Sequence, residues 1–418
     1  MRNLRVNPAR IEADLQALAA ITDPDRPWTR RAFSPRFDAG RNWLGQRFAE
    51  AGLAVSVDAG GNLLGTRRGS AGCGAIMLGS HSDTVPDGGR FDGIAGVLAA
   101  LEVARVLDER GVKLRHDLIV SDFLAEEVSV FGVSCIGSRA MAGVLPTDWL
   151  GLEHDGRSLQ RALRDVGGDP TQIAPRGDIR AFLELHIEQG PILETNAEDL
   201  GIVTAIAGIT RIEIIVKGRA DHAGTTPMNA RADALVEAAA LVGAIAAEAR
   251  RRATQGGHFT ATTGEFSITP GAANVVPSGA RMLVDARADD AAQMRDFIEW
   301  LSARCAAVPA GLGAEMRVLS DNAPVAMSAA LADTLEAAAR RCGASHRRMV
   351  SGAGHDAAFM ARIAPAAMIF VPCRDGRSHA PEEWAETDDI ALGAEVLAET
   401  VIALDQTSAG EENAPNTH

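Results

Sequence analysis

Residues 75–93 read Ala75-Ile76-Met77-Leu78-Gly79-Ser80-His81-Ser82-Asp83-Thr84-Val85-Pro86 and then, past a short glycine turn, Phe91-Asp92-Gly93. The apolar run Ala75–Leu78 predicts a buried strand. His81 then stands at that strand's carboxyl end, where open α/β sheets carry their sites. His81 and Asp92 are both good donors to a divalent metal. Asp83 points the same way as His81 if the strand continues, and could hold the imidazole in one tautomer. One His-x-Asp alone reads equally as a polar loop capping a strand, so the rest of the chain decides.

The chain has 418 residues, room for two to three ordinary domains. Hydrophobic residues at 46% and charged residues at 23% are a globular balance. A net charge of −14 argues against nucleic acid or an anionic membrane as partner. It leaves an anionic substrate open, provided arginines are placed in the site. The five cysteines are scattered and form no metal-type pairs, which reads as free thiols in a reducing compartment. No secretory leader and no membrane span are visible, so the expectation is a soluble cytoplasmic protein. Tyrosine is absent and drops out of every catalytic role.

Outward from His81 the pattern is strand and helix in alternation. Helices are expected over 8–20 and 41–51, and a hairpin over 55–58 and 62–66. A helix is expected over 93–109, just behind Asp92. The next apolar strand, 117–123, runs into Glu126-Glu127. That pair suits a helix start, which favours negative charge, or else one metal ligand beside one general base. A strand over 181–187 carries His186, which taken alone reads as a core histidine. From 135 to 175 the pattern is mixed helix and loop. Residues 209–324 read as strand, helix, strand, strand, helix, strand, the ferredoxin-like plan, inserted between two parts of the first domain. Beyond it come helices over 331–341 and 357–362, a strand over 366–371, and a loop bearing His379. A last helix over 389–404 precedes a polar tail, expected to be disordered from about 406.

Four apolar strands thus lead to His81 and Asp92, to Glu126 and Glu127, to His186 and to His379. If they are parallel neighbours their ends converge. Three imidazoles and two carboxylates suffice for two ions if one carboxylate bridges. Nitrogen and oxygen donors without thiolate suit Zn, Mn, Co or Ni. Such a pair acidifies a bridging water and clamps the reacting oxygen, and the spare carboxylate moves the proton to the leaving amine.

The segments Gly79–Val85, Phe91-Asp92-Gly93, Glu126-Glu127, Glu184-Leu185-His186-Ile187-Glu188-Gln189-Gly190, Asp221-His222-Ala223-Gly224-Thr225-Thr226-Pro227-Met228, Asn274-Val275-Val276-Pro277 and Ser378-His379 resemble, in order, the hydantoinase/carbamoylase branch of the M20 metallopeptidase superfamily. That branch includes N-carbamoyl-L-amino acid amidohydrolases, allantoate amidohydrolases and β-ureidopropionases. The resemblance implies a Zn-peptidase-like catalytic α/β domain (1–208 and 325–418) split by a ferredoxin-like lid and dimerisation domain (209–324). It implies that His81, Asp92 and His186 hold one divalent ion and that Asp92, Glu127 and His379 hold the other. Glu126 would be the general base and Asp83 would support His81 from behind. His222 and Asn274 would reach the partner subunit's site in a homodimer, with His222 stabilising the oxyanion. Arg287 would grip the substrate carboxylate, and Gln189 would contact the substrate or the site wall.

Read without the resemblance, His222 could stabilise its own turn, Asn274 could be a turn residue and Arg287 a surface charge. His355 and Asp356 read as structural support, and His116, His154, His258, His346 and His418 carry no signal. After Glu127 the family shows a small or acidic residue, then Ser-Arg-Phe. This chain has Val128-Ser129-Val130-Phe131, so the wall beside the metal residues differs. Arg374 and Arg377 precede Ser378-His379, where an extra cation could suit an acidic substrate. The expected activity is hydrolysis of a linear C–N bond, an N-carbamoyl group above all, on a small carboxylate. The alternatives are an N-acyl amino acid or dipeptide hydrolase of the same superfamily, and a binding protein that keeps the fold without catalysis.

Overall fold

Alternating apolar strands and Ala/Leu-rich helices build the first of two units in the computed structural model, which describes residues 4–411. The strands, in chain order, are β1 (Ala54–Val57), β2 (Leu63–Arg67), β3 (Ala75–His81), β4 (Asp117–Phe123), β5 (Glu153–His154), β6 (Arg157–Ser158), β7 (Ile179–Ile187), β8 (Leu200–Ile206), β9 (Gly208–Lys217), β10 (Phe259–Thr269), β11 (Gly279–Ala288), β12 (Gly313–Asn322), β13 (Val325–Ala326), β14 (His346–Ser351) and β15 (Ala366–Val371). One unit comprises the chain up to Thr204, Met327–Met349 and the chain from His355 on. The other is Ala205–Ala326 with Val350–Gly354.

In the first unit the sheet runs β1-β2-β4-β3-β7-β15-β8. Its four central strands, β4, β3, β7 and β15, are mutually parallel, and the flanking pairs are antiparallel. Every residue of β3 and of β15 is buried. Burial on both faces is why these strands read as continuous apolar runs. The helix Ile94–Glu109 is buried from Ile94 to Ala104 and again at Val106 and Leu107, and packs on β3 and β7. Gly96 makes that approach possible, because a Cβ there would lie 2.2 Å from the Leu185 carbonyl oxygen.

In the second unit β9, helix Ala234–Ala253, β10, β11, helix Ala291–Ala306 and β12 follow one another, and the sheet order is β10-β11-β9-β12. This is the ferredoxin-like plan. Strand β11 alternates strictly between buried and half-buried residues, so one face takes the helices and the other does not. The apolar face forms the core with Leu241, Ile245, Phe297 and Leu301. The open face is laced by ion pairs such as Arg281 and Arg317 on Glu213.

Several boundaries differ from the sequence expectation. The helix expected from 41 begins at Pro35, because Ser34 caps it by accepting from the Phe37 N–H and proline suits the first turn. Strands β8 and β14 were not anticipated. The helix expected over 357–362 is the short Ala357–Met360. The last helix is Thr387–Glu411, so it continues past the point where a disordered tail was expected. The rest of that tail lies outside the described residues. No helix among the described residues is long and apolar enough to cross a membrane.

Gly96→Ala and Gly243→Ala test the close approach. Gly243 is exposed in its helix with nothing within 4 Å of a built Cβ. Denaturant unfolding should show Gly243→Ala stabilised by about 0.5–1 kcal/mol and Gly96→Ala destabilised by about 1–3 kcal/mol or more. Equal effects of the two would contradict the packing described.

Candidate metal centre

Parallel register brings the strand ends together: His81 pairs with Phe123 across β3 and β4, and His186 with Phe370 across β7 and β15. The loops leaving β4 and β15 add Glu126, Glu127 and His379. Two groups of donor atoms result, each within 4.8 Å: His81, Asp92 and His186, and Asp92, Glu127 and His379. Asp92 Oδ1 lies 3.1 Å from His186 Nε2 and 3.7 Å from His81 Nε2. Asp92 Oδ2 lies 3.0 Å from His379 Nε2, which also lies 3.0 Å from Glu127 Oε1. One carboxylate therefore gives one oxygen to each group.

The donor set suits divalent ions. Nδ1 of His81 faces the Asp83 carbonyl oxygen at 3.0 Å, and Nδ1 of His186 faces that of Ile187 at 2.9 Å. A carbonyl only accepts, so each Nδ1 carries a proton, and in the neutral ring each Nε2 presents a lone pair. The Gly93 N–H, 3.2 Å away, donates to His186 Nε2. Lone pairs facing carboxylate oxygens repel unless a cation stands between them. Hydrogen bonds to Asp92 and then Glu127 push His379 up to about 11, a measure of how strongly this field favours positive charge. Gly93 closes the first group: its φ is 67°, and a Cβ there would lie 2.4 Å from the His81 ring.

Asp83 supports the set from behind. Its two oxygens accept the Glu126 and Glu127 N–H groups, each at 3.2 Å. Glu126 belongs to neither donor group. It is buried, with Oε2 3.6 Å from His81 Nε2 and Oε1 accepting the Cys135 thiol at 3.4 Å. Burial, then the nearby Glu127, Asp356 and Asp83 charges, push its carboxyl well up against the opposing His81. Behind His186, the His355 ring packs edge-on with centroids 4.5 Å apart. Ala125, Gln189 and His379 all have positive φ without being glycine, so local backbone strain gathers around these side chains.

Gln189 turns onto the centre itself, donating from Nε2 to Asp92 Oδ2 at 3.0 Å. The sequence reading missed Cys135 and Glu383. For Glu383 the available signal was a second glutamate pair, Glu382-Glu383, just past His379. Arg374 and Arg377 are each met by a carboxylate, Glu386 at 2.7 Å and Glu382 at 3.4 Å. In the altered loop, Phe131 is buried edge-on against Phe33 while Val128 is exposed.

His222, Asn274 and Arg287 belong to the second unit. His222 bridges to Val275, and the Ala223 N–H donates to the Asn274 carbonyl, so His222 and Asn274 are neighbours there, both exposed. His222 Nδ1 accepts from the Gly224 and Thr225 N–H groups at 3.0 and 3.2 Å, which leaves the proton on Nε2. Arg287 donates to Asp285 at 2.8 Å and to the Gly352 carbonyl at 2.7 Å.

Comparison with known proteins places this geometry. Residues 77–403 match the model of peptidase family M20/M25/M40. An N-carbamoyl-L-amino-acid amidohydrolase of Paenarthrobacter aurescens is 39% identical, over 95% of this chain and 98% of its own length. A ureidoglycolate hydrolase of Oryza sativa subsp. japonica is 35% identical, over 93% of this chain and 83% of its own length. The crystal structure of a hydantoinase/carbamoylase family amidase from Burkholderia multivorans superposes with a TM-score of 0.88 at 35% identity, covering 96% of this chain and 98% of that one. The class is an amidohydrolase of carbon–nitrogen bonds. The chain belongs to peptidase family M20/M25/M40, in its hydantoinase/carbamoylase branch.

Asp83→Ala should weaken divalent-ion affinity about 10–100-fold while circular dichroism stays that of the parent, because it frees the backbone that aims Glu126 and Glu127. Parental affinity in that variant would show that Asp83 does not organise the centre.

Proposed function

We propose that this chain hydrolyses a linear C–N bond, foremost an N-carbamoyl group, on a small substrate that bears a carboxylate. The observation that carries the reading is Asp92, with one oxygen to each of two donor groups and the separate buried carboxylate Glu126 beside them. His81, Asp92 and His186 would hold one divalent ion, and Asp92, Glu127 and His379 the other. Ions held there supply a Lewis acid for the carbamoyl oxygen and lower the pKa of water.

The rest falls to side chains. Glu126 takes a proton from the attacking water and returns it to the leaving nitrogen as the C–N bond breaks. Burial and the neighbouring carboxylates raise its pKa, which suits a group that must both accept and release a proton. The products are the free amine and a carbamate, which decomposes to ammonia and CO2. His222, with its proton on Nε2, is a ready donor to a developing oxyanion. We assign it, with Asn274, to the site of the partner subunit in a homodimer, and residues 209–324 to the lid. Arg287 offers a planar fork to the substrate carboxylate, held in place by Asp285 and Gly352. The P. aurescens and rice relatives are named for a carbamoyl and a ureido substrate, which supports this choice of bond.

The test uses metal-stripped protein reloaded with Mn, Zn, Co or Ni, against N-carbamoyl and N-acyl amino acids. Ammonia together with free amino acid, only after reloading, is the expected result. Amine without ammonia would contradict it and mark an acylase or dipeptidase. Glu126→Gln should bind metal as the parent does and lose about 10²–10⁴ in kcat. An equally active Glu126→Gln would remove the mechanism.

A further inference from the structure

We propose that Glu383 is a positioning residue for Asp92, holding that carboxylate in the rotamer that serves both donor groups. The proposal rests on the reading of Asp92 as a ligand shared between two ions.

Glu383 is fully buried, four residues beyond His379. Its Oε1 accepts the Phe91 and Asp92 N–H groups at 2.9 and 3.1 Å. Its Oε2 lies 2.7 Å from Ser378 Oγ, which in turn lies 3.2 Å from Asp92 Oδ2. One carboxylate therefore holds the Asp92 segment by two backbone N–H groups, and it lies against the Ser378 hydroxyl, whose single proton goes to one of the two carboxylates at a time. Ser378, Gln189 and His379 all converge on Oδ2, which fixes the rotamer and leaves Oδ1 to His81 and His186. Burying a carboxylate is expensive, and packing alone would be served as well by an apolar residue.

Gly89 is an independent sign of the same arrangement. A Cβ there would lie 1.8 Å from Glu383 Oε1 and 1.9 Å from its Cδ. Gly89 does not have a positive φ, so its backbone conformation does not call for glycine. What calls for it is the carboxylate lying against the chain. The adjoining Arg90 guanidinium sits 4.9 Å from the Trp28 ring and 4.7 Å from that of Trp384, which ties the Gly89–Asp92 segment to the loop bearing Glu383.

The experiment measures Mn and Zn affinity by chelator competition, and metal per chain, on the full-length parent, Glu383→Ala, Glu383→Gln, Gly89→Ala and the Gly89→Ala/Glu383→Ala double variant. Thermal melting is followed alongside. Glu383→Ala should weaken ion binding about 10–100-fold, the usual effect of removing a residue that orients a ligand. Glu383→Gln keeps an acceptor for both N–H groups and a polar partner for Ser378, so it should stay within about threefold of the parent. Gly89→Ala should reproduce the loss of Glu383→Ala, and should cost little more once Glu383 is already gone, because coupled residues are non-additive.

Parental affinity in Glu383→Ala, or in Gly89→Ala should Glu383→Ala fail to fold, overturns the proposal. So does a Gly89→Ala loss that is undiminished in the double variant. A lowered melting temperature with unchanged ion affinity also overturns it, since that is what a purely structural role gives. A parent chain that binds no divalent ion removes the metal reading itself and this role with it, a result distinct from the others.

Discussion

The carboxylate of Asp92 faces two ways, and the arrangement of the first unit follows from that. Its oxygens lie about as far from His186 on one side as from His379 on the other, 3.1 and 3.0 Å. A buried carboxylate needs compensation. Here it comes from the Gln189 amide, from the Ser378 hydroxyl, and from its place just before the N-terminus of helix Ile94–Glu109, where the helix dipole favours negative charge. The side chains around Asp92 come from the carboxyl ends of β3 and β7 and from the loop after β15, so the parallel order β4-β3-β7-β15 is the geometric condition for the cluster.

The chain accepts local cost to keep that cluster in place. Left-handed backbone at Ala125, Gln189 and His379 re-aims the residues that leave the strands. Gly93 and Gly89 give up side chains where the His81 ring and the Glu383 carboxylate lie against the backbone. Asp83 commits both oxygens to the N–H groups of the glutamate pair. The adjacent residues Glu126 and Glu127 thereby part company: Glu127 turns to the His379 side, and Glu126 stays buried beside His81, outside both donor groups.

Much of this was legible in the sequence because strands buried on both faces announce themselves as short apolar runs. The runs at 75–78, 117–123, 181–187 and 366–371 each lead to a metal-type side chain, and the structure makes them parallel neighbours. The strand and helix order over 209–324 was likewise readable from period-2 and period-3.6 patterning. What escaped depends on contacts through space. Strand β14 has little pattern of its own, and β8, an interior strand paired with β15, β13 and β14, is a short apolar run whose partners only the fold reveals. The first turns of helix Pro35–Glu50, before residue 41, depend on the Ser34 side chain accepting the Phe37 N–H, a contact that appears only in the fold. The sequence puts Gln189 at the substrate or the site wall, and its hydrogen bond to Asp92 shows only in the fold. Glu383 has no sequence feature that ties it to residues 89–92; only the fold brings them together. Arg374 and Arg377 read as spare cations, whereas the structure pairs each with an acid.

Metal stoichiometry across two single variants tests the shared carboxylate most directly. Calorimetric titration of the metal-free chain with Mn or Zn should give two ions per chain for the parent and one for His379→Ala. For Asp92→Ala it should give no tightly bound ion, since neither group is complete without that side chain. An Asp92→Ala chain that still binds one ion with parental affinity would show that the groups do not share Asp92, and the account built on it would not stand.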